Sequence, residues 1–228
     1  MGHLFDTYGS QLGSAFWITI QLTFWAAIGS VIWGTLLAAM RVSPVPILRL
    51  FGSWYVNIVR NTPLTLIIVF CSVGLYQNLG LALAPESDPT FIDDNNFRLA
   101  VLGFIVYTAA FVCESLRAGI NTVPLGQAEA ARSLGLTFGQ SLRMIVLPQA
   151  FRAVVAPLGS VLIALTKNTT IASTIGVAEA SLLMKTMIEN EADQLFLVFA
   201  IFAVGFMVLT LPVGFLFGYL GKRLAVKR

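Results

Sequence analysis

Five long apolar segments follow one another along the chain, with shorter polar segments between them. Each is close to the roughly 20 residues that an α-helix needs to cross a bilayer. Backbone groups inside lipid must be satisfied within the protein, and a helix does this within one segment. The pattern therefore predicts an all-α polytopic membrane protein with five transmembrane helices, at about residues 15–40, 64–83, 99–116, 153–178 and 195–221.

An amphipathic segment, LRLFGSWYVNIV at residues 48–59, lies between the first two spans. Trp54 and Tyr55 are residue types enriched at membrane–water interfaces. Two interpretations are open. The segment is either an interfacial helix on the inner leaflet, with the chain turning inward at Pro63, or an extension of the second span.

Composition agrees with a membrane protein that has no separate soluble domain. Hydrophobic residues make up 57% of the 228 residues and charged residues 11%, whereas soluble domains carry about 25% charged residues. We therefore expect a single transmembrane domain over residues 1–228. Cys71 and Cys113 lie within apolar segments, where cysteine usually packs as a small apolar residue, so no disulfide or metal site is expected.

The basic residues are distributed unevenly over the polar segments. Of 14 Lys and Arg, only Arg98 and Lys185 fall on one side of the membrane, and Lys167 falls inside a span. By the positive-inside rule, the N-terminus is outside and the C-terminus is cytoplasmic. The charge excess is thus explained by orientation, and no nucleic-acid partner is expected. The residues assigned to the cytoplasmic side are Arg41, Arg49, Arg60, Arg117, Arg132, Arg143, Arg152, Lys222, Arg223, Lys227 and Arg228.

The polar segment between the third and fourth spans, about residues 124–150, predicts two short helices joined by a tight corner, and we name it the hairpin. Pro124 is suited to the start of a helix, and Gly135 to a left-handed end. Thr137 and Gln140 have capping-box spacing for the second helix, which carries an apolar stripe of Leu142, Ile145 and Val146. Pro148 is expected to disturb the passage from this helix into the fourth span. Because pure linkers are usually short, a two-helix segment favours a docking element over a plain connection.

The hairpin contains a motif of fixed spacing, EAARSLGLTFGQSLRMIVLP. It resembles the signature of ABC importer permeases, in which Glu-Ala-Ala is followed at set intervals by Gly, Ile and Leu-Pro. Similarity to the polar amino-acid uptake branch, which includes histidine, glutamine and glutamate permeases, extends over nearly the whole chain. Asn61 replaces a usual Gly in the segment RNTP. The matching positions are Glu129, Ala130, Ala131, Gly135, Ile145, Leu147 and Pro148.

This resemblance implies the type I ABC importer permease fold and a role in uptake of a polar amino acid, with glutamate favoured through similarity to actinobacterial glutamate permeases. Glutamine, aspartate and arginine are the alternatives. The chain would convert closure of the ATPase into alternating access. It would sit in the bacterial cytoplasmic membrane, in contact with lipid, beside a second, related permease that makes a heterodimer, with an extracytoplasmic substrate-binding protein on its outer face.

ATP hydrolysis is expected in a separate subunit, because the sequence contains no phosphate-binding loop with Lys-Ser/Thr. The chain would then be no enzyme and hold no cofactor, and ATP and Mg would be bound by two cytoplasmic ATPase subunits. The resemblance implies that the hairpin docks onto an ATPase. The docking residues would be Glu129, Ala130, Ala131, Arg132 and Gly135.

The fourth span contains a lysine near its middle, Lys167. A lone charge at the centre of a span costs about 2.5–3.5 kcal/mol on insertion scales, so such residues usually face a cavity or a partner. We predict a polar face along the translocation pathway, with Lys167 as a counter-charge for an acidic substrate. Three other interpretations are open: Lys167 extends to the membrane surface, pairs with Glu179 or with an acid of the partner permease, or marks a break in the helix. The predicted pathway residues are Arg60, Thr166, Lys167, Asn168, Thr169, Thr170 and Ser173.

Two further charged positions lie near the inner membrane surface. Arg60 is either an interfacial anchor or a gate of the pathway. Glu114 and Arg117 are three residues apart and share a helix face, which predicts a local ion pair beside the hairpin. Two other classes fit less well. A secondary transporter lacks a coupling acid deep in the membrane and an inverted repeat, and a membrane enzyme lacks a nucleophile–base pair.

Overall fold

The structure, a computed structural model, describes residues 2–224, with the side chains of residues 2, 3, 125 and 128 excepted. Lys227 and Arg228, which the charge pattern assigned to the cytoplasmic side, lie outside the described residues. This part of the chain is helical and contains no strand. Its α-helices are α1 Gly2–Arg41, α2 Pro46–Asn61, α3 Leu64–Val69, α4 Phe91–Ile120, α5 Leu125–Ser133, α6 Phe138–Ser141, α7 Leu147–Asn168, α8 Ala180–Asn190 and α9 Leu195–Leu224.

Three of these helices continue without a break into segments of a different helical pitch. α3 continues as a π-helix over Phe70–Asn78, α6 as a π-helix over Leu142–Val146, and α7 as a 3₁₀-helix over Thr169–Ile175. Such changes of hydrogen-bond register are uncommon and frequently occur at functional sites.

Four helical segments among residues 2–224 are long and apolar enough to cross a membrane: Leu4–Arg41, Phe91–Ile120, Phe138–Ile175 and Ala192–Leu224. They contain the first, third and fifth predicted spans and all but the last residues of the fourth. α2 and Leu64–Asn78 pass the same criterion only together, as one broken span or a re-entrant loop. The described residues therefore contain four candidate spans, and a fifth if this pair is one span.

The amphipathic segment 48–59 forms most of α2, which ends at Asn61, before Pro63. Proline restricts the residue before it to extended conformations, which ends the helix. α2 is thus a helix of its own, as the first of the two interpretations requires.

The hairpin differs from its prediction in one respect. Its second helix is not a separate surface helix, because α6 runs through the π-helical turn into α7 and so begins the fourth span. Pro148 was expected to disturb this passage. It is the second residue of α7, and the change of hydrogen-bond register just before it accommodates a residue without an N–H.

The described chain forms two compact units. The first comprises Met1–Ile28, Thr62–Ile105 and Ala164–Pro212. Its core brings together α1, α8 and α9, and the Phe16 and Phe202 rings stack with centroids 5.7 Å apart. The buried core residues are Leu4, Tyr8, Leu12, Ala180, Met187, Val198 and Phe202.

The second unit comprises Gly29–Asn61, Val106–Ile163 and Val213–Arg228. Helices α1 and α4 approach each other closely in this unit. A Cβ placed on Gly34 of α1 would lie 2.6 Å from Cβ of Val112 in α4, so only glycine fits there, as is common between membrane helices. The hydroxyl of Tyr55 in α2 donates to the carbonyl of Val106 at 2.8 Å.

Candidate functional site

The hairpin corner has the geometry that its sequence predicts. Gly135 has φ +81°, a left-handed conformation that favours glycine. Its N–H donates to the carbonyl of Arg132 at 2.9 Å, and the N–H of Leu136 donates to that of Ala131 at 3.2 Å. The carbonyls at the end of α5 are thereby satisfied.

The capping box at the start of α6 is also confirmed. The N–H of Gln140 donates to the Thr137 hydroxyl at 3.3 Å, and the N–H of Thr137 donates to Oε1 of Gln140 at 2.9 Å. Because the two residues satisfy each other's backbone, the second helix begins at a defined position directly after the corner.

The predicted docking residues divide into two groups. Glu129, Ala130, Arg132 and Gly135 are exposed. Ala131 is only 1% exposed, so its small side chain packs inside the hairpin and does not present a surface to a partner.

The corner also exposes apolar side chains that are not among the predicted docking residues. Leu134 is 82% exposed and Phe138 is 42% exposed. Leu134 directly precedes Gly135, and Phe138 follows it by three residues. Their position in the motif is the one feature of the sequence that could have identified them as part of the docking surface. An exposed leucine beside an exposed arginine and glutamate makes a small mixed surface at the tip.

A cleft of about 330 Å³ lies at the base of the hairpin, within the second unit. Its wall is mainly apolar, with the Arg132 side chain among its lining residues. It separates the hairpin from the ends of α1 and α4, and its lining residues are Val42, Ile120, Val123, Pro124, Arg132, Phe138, Ser141, Leu142 and Val146.

The second unit also contains a cluster of three arginines around Glu114. Arg117 donates to Oε2 of Glu114 at 3.1 Å, which confirms the predicted pair. Arg41, at the end of α1, donates to Oε1 of Glu114, and Nη1 of Arg60 lies 3.8 Å from the same oxygen. One carboxylate thus joins α1, α2 and α4, the helix that leads into the hairpin.

The sequence predicts only part of this cluster. Its pattern left Arg60 as an anchor or a gate of the pathway and indicated for Arg41 only a place on the cytoplasmic side. The Glu114 side chain is 22% exposed and that of Arg41 is 12% exposed, so this is a partly buried network rather than a surface pair. The guanidinium of Arg60 also lies over the Phe111 ring, 5.6 Å from its centroid.

The fourth span changes helix type at its polar segment. Lys167 lies in the last turn of α7, one residue before the 3₁₀-helix begins. It is therefore at a change of helix type and not in the middle of a regular helix. The hydroxyls of Thr169, Thr170 and Ser173 each donate to the backbone carbonyl three residues earlier, at 2.7–2.8 Å.

Burial divides the predicted pathway residues of this segment. Thr166, Thr169 and Ser173 are buried, whereas Asn168 and Thr170 are intermediate. Lys167 is exposed in this single chain. Three of the hydroxyl-bearing side chains thus lie in the interior, whereas the Lys167 side chain is accessible.

Lys185 contributes to this segment, although the charge pattern indicates only that it lies on the outer side. Its ammonium donates to the Ser173 hydroxyl at 2.8 Å. The two residues are twelve apart and lie on different helices, so no spacing rule would have joined them.

Glu179, considered above as a partner for Lys167, has another role. It lies in the segment after the fourth span and is fully buried. Its carboxylate caps α8 by accepting the N–H groups of Ser181 at 2.8 Å and Leu182 at 3.0 Å. Burial raises the pKa of Glu179 from 4.5 to about 7, although the two amides and the charge of Lys185 act in the opposite direction.

This raised pKa predicts a pH-dependent stability. Between pH 4.5 and about 7 the folded chain binds a proton at Glu179 that the unfolded chain lacks, so stability falls as pH rises through this window. The difference corresponds to roughly 3 kcal/mol at most. Thermal unfolding of Glu179→Gln in detergent, followed from pH 4.5 to 8, should lose this slope.

Glu189→Gln is the matched control, because Glu189 is an exposed carboxylate on the same helix. It should keep the wild-type slope. An unchanged slope in Glu179→Gln would show that other groups cause the pH dependence.

No group of three or more His, Cys, Asp or Glu side chains among the described residues is arranged to hold a metal ion.

Comparisons with known proteins agree on one family. A family model described as the binding-protein-dependent transport system inner membrane component matches residues 30–226. A glutamate transport system permease protein of Corynebacterium glutamicum is 66% identical over 228 residues, covering 100% of both chains. The protein of the same name from Corynebacterium efficiens is 67% identical with the same coverage.

A solved structure, described as the crystal structure of an amino acid ABC transporter with histidines, superposes on the fold with a TM-score of 0.78. Its sequence is 30% identical, and the superposition covers 96% of each chain.

Proposed function

The chain belongs to the inner membrane components of binding-protein-dependent transport systems, the permease subunits of ABC importers for polar amino acids, and on that premise we propose that it imports glutamate. It is not an enzyme, because ATP is hydrolysed by a separate subunit in this family. The observation that carries the choice of substrate is the 66% identity, over the full length, to a glutamate transport permease. Glutamine, aspartate and arginine are the alternative substrates.

We propose that residues 1–228 work as one permease domain with five spans, the N-terminus outside and the C-terminus in the cytoplasm of a bacterial cell. The distribution of basic residues supports this orientation, and Leu64–Asn78, at the position of the predicted second span, would form the fifth span. The assembly would contain a second, related permease, two cytoplasmic ATPases that bind ATP and Mg, and an extracytoplasmic substrate-binding protein.

The hairpin would transmit ATPase movement to the spans. Support comes from its exposed tip, where Glu129, Ala130, Arg132 and Gly135 are accessible, and from the Gly135 corner and the capping box that hold the tip in one conformation. Ala131 would contribute from within, by allowing the two helices of the hairpin to pack closely. Because α6 continues into α7, displacement of the tip would act directly on the fourth span.

The translocation pathway would run along the polar segment of the fourth span. Of the two roles left open for Arg60, that of an interfacial anchor agrees with its place on α2. The change to a 3₁₀-helix after Asn168 supports a functional segment. Lys167 would supply a positive charge for an anionic substrate, and Thr170 and Asn168 would add polar groups. The buried hydroxyls of Thr166, Thr169 and Ser173 would keep the segment in its helical form.

Replacing Lys167 by alanine should slow glutamate uptake about tenfold or more at low substrate concentration, because a charge-assisted contact is worth roughly 1.5–3 kcal/mol. Lys167→Arg should retain most of the uptake, and Lys222→Ala, which removes an exposed basic residue at the end of α9, should leave it unchanged. Uptake is measured together with co-purification of the ATPase. Normal uptake by Lys167→Ala would remove Lys167 from the pathway.

The proposed substrate is tested by ATP-dependent uptake of labelled glutamate in cells with and without this chain. Unlabelled aspartate, glutamine and arginine serve as competitors. Uptake that requires the chain and is blocked only by glutamate or aspartate supports an acidic substrate. Uptake that is independent of the chain, or that glutamine or arginine blocks equally well, would contradict the proposal for glutamate.

A further inference from the structure

Helix α2 presents three chemically different faces, of which only one is covered by the other residues between 2 and 224. The covered face consists of Gly52, Val56 and Val59. On the opposite side an apolar stripe is solvent-accessible, with Ile47 71%, Leu50 68% and Trp54 62% exposed. Phe51 and Ile58 complete this stripe at 43% and 46%. A large exposed apolar stripe on one helix marks a contact with lipid or with another protein.

A polar row runs between the covered face and the apolar stripe. Arg49, Ser53, Asn57 and Arg60 follow one another at spacings of four, four and three residues, so they lie on one side of the helix. At 1.5 Å per residue the row is about 16 Å long. Guanidinium groups stand at its two ends, and a hydroxyl and an amide lie between them. All of these side chains can donate hydrogen bonds.

The charge around the end of this row is not balanced. Arg41, Arg60 and Arg117 share a single carboxylate, that of Glu114. The Arg60 side chain is still 45% exposed. Nε of Arg117 is buried and has no hydrogen-bond partner among the described residues. This end of α2 therefore carries more positive charge than the described part of the chain neutralises.

We propose that the outer side of α2 is a binding surface for anionic phospholipids of the inner leaflet. The apolar stripe would lie among the acyl chains, and the row from Arg49 to Arg60 would bind the headgroup phosphates. An anionic phospholipid combines an apolar tail with a phosphate, which is the combination that the two adjacent faces of α2 present. Helices that lie in the membrane interface have this pattern of an apolar stripe, a tryptophan and flanking arginines.

The place of α2 within the second unit supports the same orientation of this helix, with its outer side toward the inner leaflet. The covered face of α2 packs at the end of α1, where a Cβ on Gly52 would lie 2.8 Å from Cγ of Arg41 and 3.3 Å from the carbonyl of Leu37. α2 is thus held against the span end that is proposed to face the cytoplasm, which would place Arg49 beside the headgroups of the inner leaflet.

The test measures which lipid contacts Trp54. The full chain, assembled with its partner subunits, is reconstituted into phosphatidylcholine vesicles that contain phosphatidylglycerol, with brominated acyl chains on either one lipid or the other. The difference between wild type and Trp54→Phe isolates the fluorescence of Trp54. Quenching should be stronger when phosphatidylglycerol carries the bromine at equal mole fraction.

Arg49→Gln should lower this preference about fivefold, because one basic residue near an anionic surface contributes roughly 1 kcal/mol. Arg143→Gln, which removes an exposed arginine from the hairpin, is the matched control and should keep the preference. Excess inorganic phosphate should not abolish the preference for phosphatidylglycerol, because the proposed site binds a lipid headgroup and not a free anion.

Three results would overturn the proposal. Absence of quenching at Trp54 would show that a protein covers this face. Equal quenching by both lipids would show contact with lipid but no selection for anionic headgroups. Loss of the preference in excess phosphate would show a site for soluble anions. None of these results depends on the transported substrate, so they leave the assignment as an importer unaffected.

Discussion

Replacing Gly135 by aspartate is expected to reduce the ATPase that co-purifies with this chain by about tenfold. Gly135 has φ +81°, a conformation that costs a residue with a side chain roughly 1–2 kcal/mol. Before it binds the ATPase, the variant can relax the backbone at position 135. Docking would then have to restore the strained left-handed conformation. The substitution also adds a carboxylate to the proposed docking surface. Co-purification from cells that express all subunits measures the loss.

Two control variants separate backbone strain from charge. Gly135→Ala adds strain without charge and should show part of the effect. Gly139→Asp adds the same carboxylate in α6, where the backbone is not left-handed and a Cβ meets nothing within 4 Å. Gly139→Asp should therefore co-purify with an amount of ATPase closer to that of the wild-type chain. Normal co-purification of the ATPase with Gly135→Asp would show that the ATPase docks elsewhere.

Replacing Glu114 by alanine is expected to lower the melting temperature of the detergent-solubilised chain by roughly 5–10 °C, and to reduce transport further than this loss explains. Three guanidinium groups from α1, α2 and α4 would lose their common acceptor. Hydrogen bonds to charged groups contribute about 1.5–3 kcal/mol, and 1 kcal/mol corresponds to roughly 2–4 °C in a chain of this size.

Glu114→Gln keeps the shape and one acceptor of this side chain but removes its charge, so its melting temperature should lie between those of wild type and Glu114→Ala. Glu189→Ala removes an exposed carboxylate outside the cluster and should change the melting temperature little. A wild-type melting temperature in Glu114→Ala would show that the arginines are satisfied without Glu114. Comparing ATPase activity with uptake in the same preparations shows whether transport becomes uncoupled from hydrolysis.

The hairpin shows how far local sequence rules reach. Gly135 and the pair Thr137–Gln140 were located correctly because a left-handed corner and a capping box depend only on residues within a few positions of each other. The continuation of α6 into α7 was missed. Pro148 suggested a disturbance, and no sequence rule shows that a π-helical turn can precede a proline and carry the helix through.

The charged residues show where local sequence rules stop. The pair Glu114–Arg117 was predictable because its members share a helix face three residues apart. Arg41 lies 73 residues from Glu114 along the chain, and Lys185 binds Ser173 from another helix. Contacts of this kind depend on where two helices cross. The position of such a crossing depends on the packing of small residues such as Gly34. It does not follow from a periodic pattern in the sequence.

The sequence by itself determined the helical class, the approximate spans, the corner and cap of the hairpin, and the family. These features follow from apolar length, local spacing and a motif. Only the tertiary structure decided which faces of the helices are covered, including the three faces of α2 and the arginine cluster at its end. The physical reason is that lipid and the protein interior are both apolar, so the hydrophobic pattern places a segment in the membrane but does not show which of its sides meets protein.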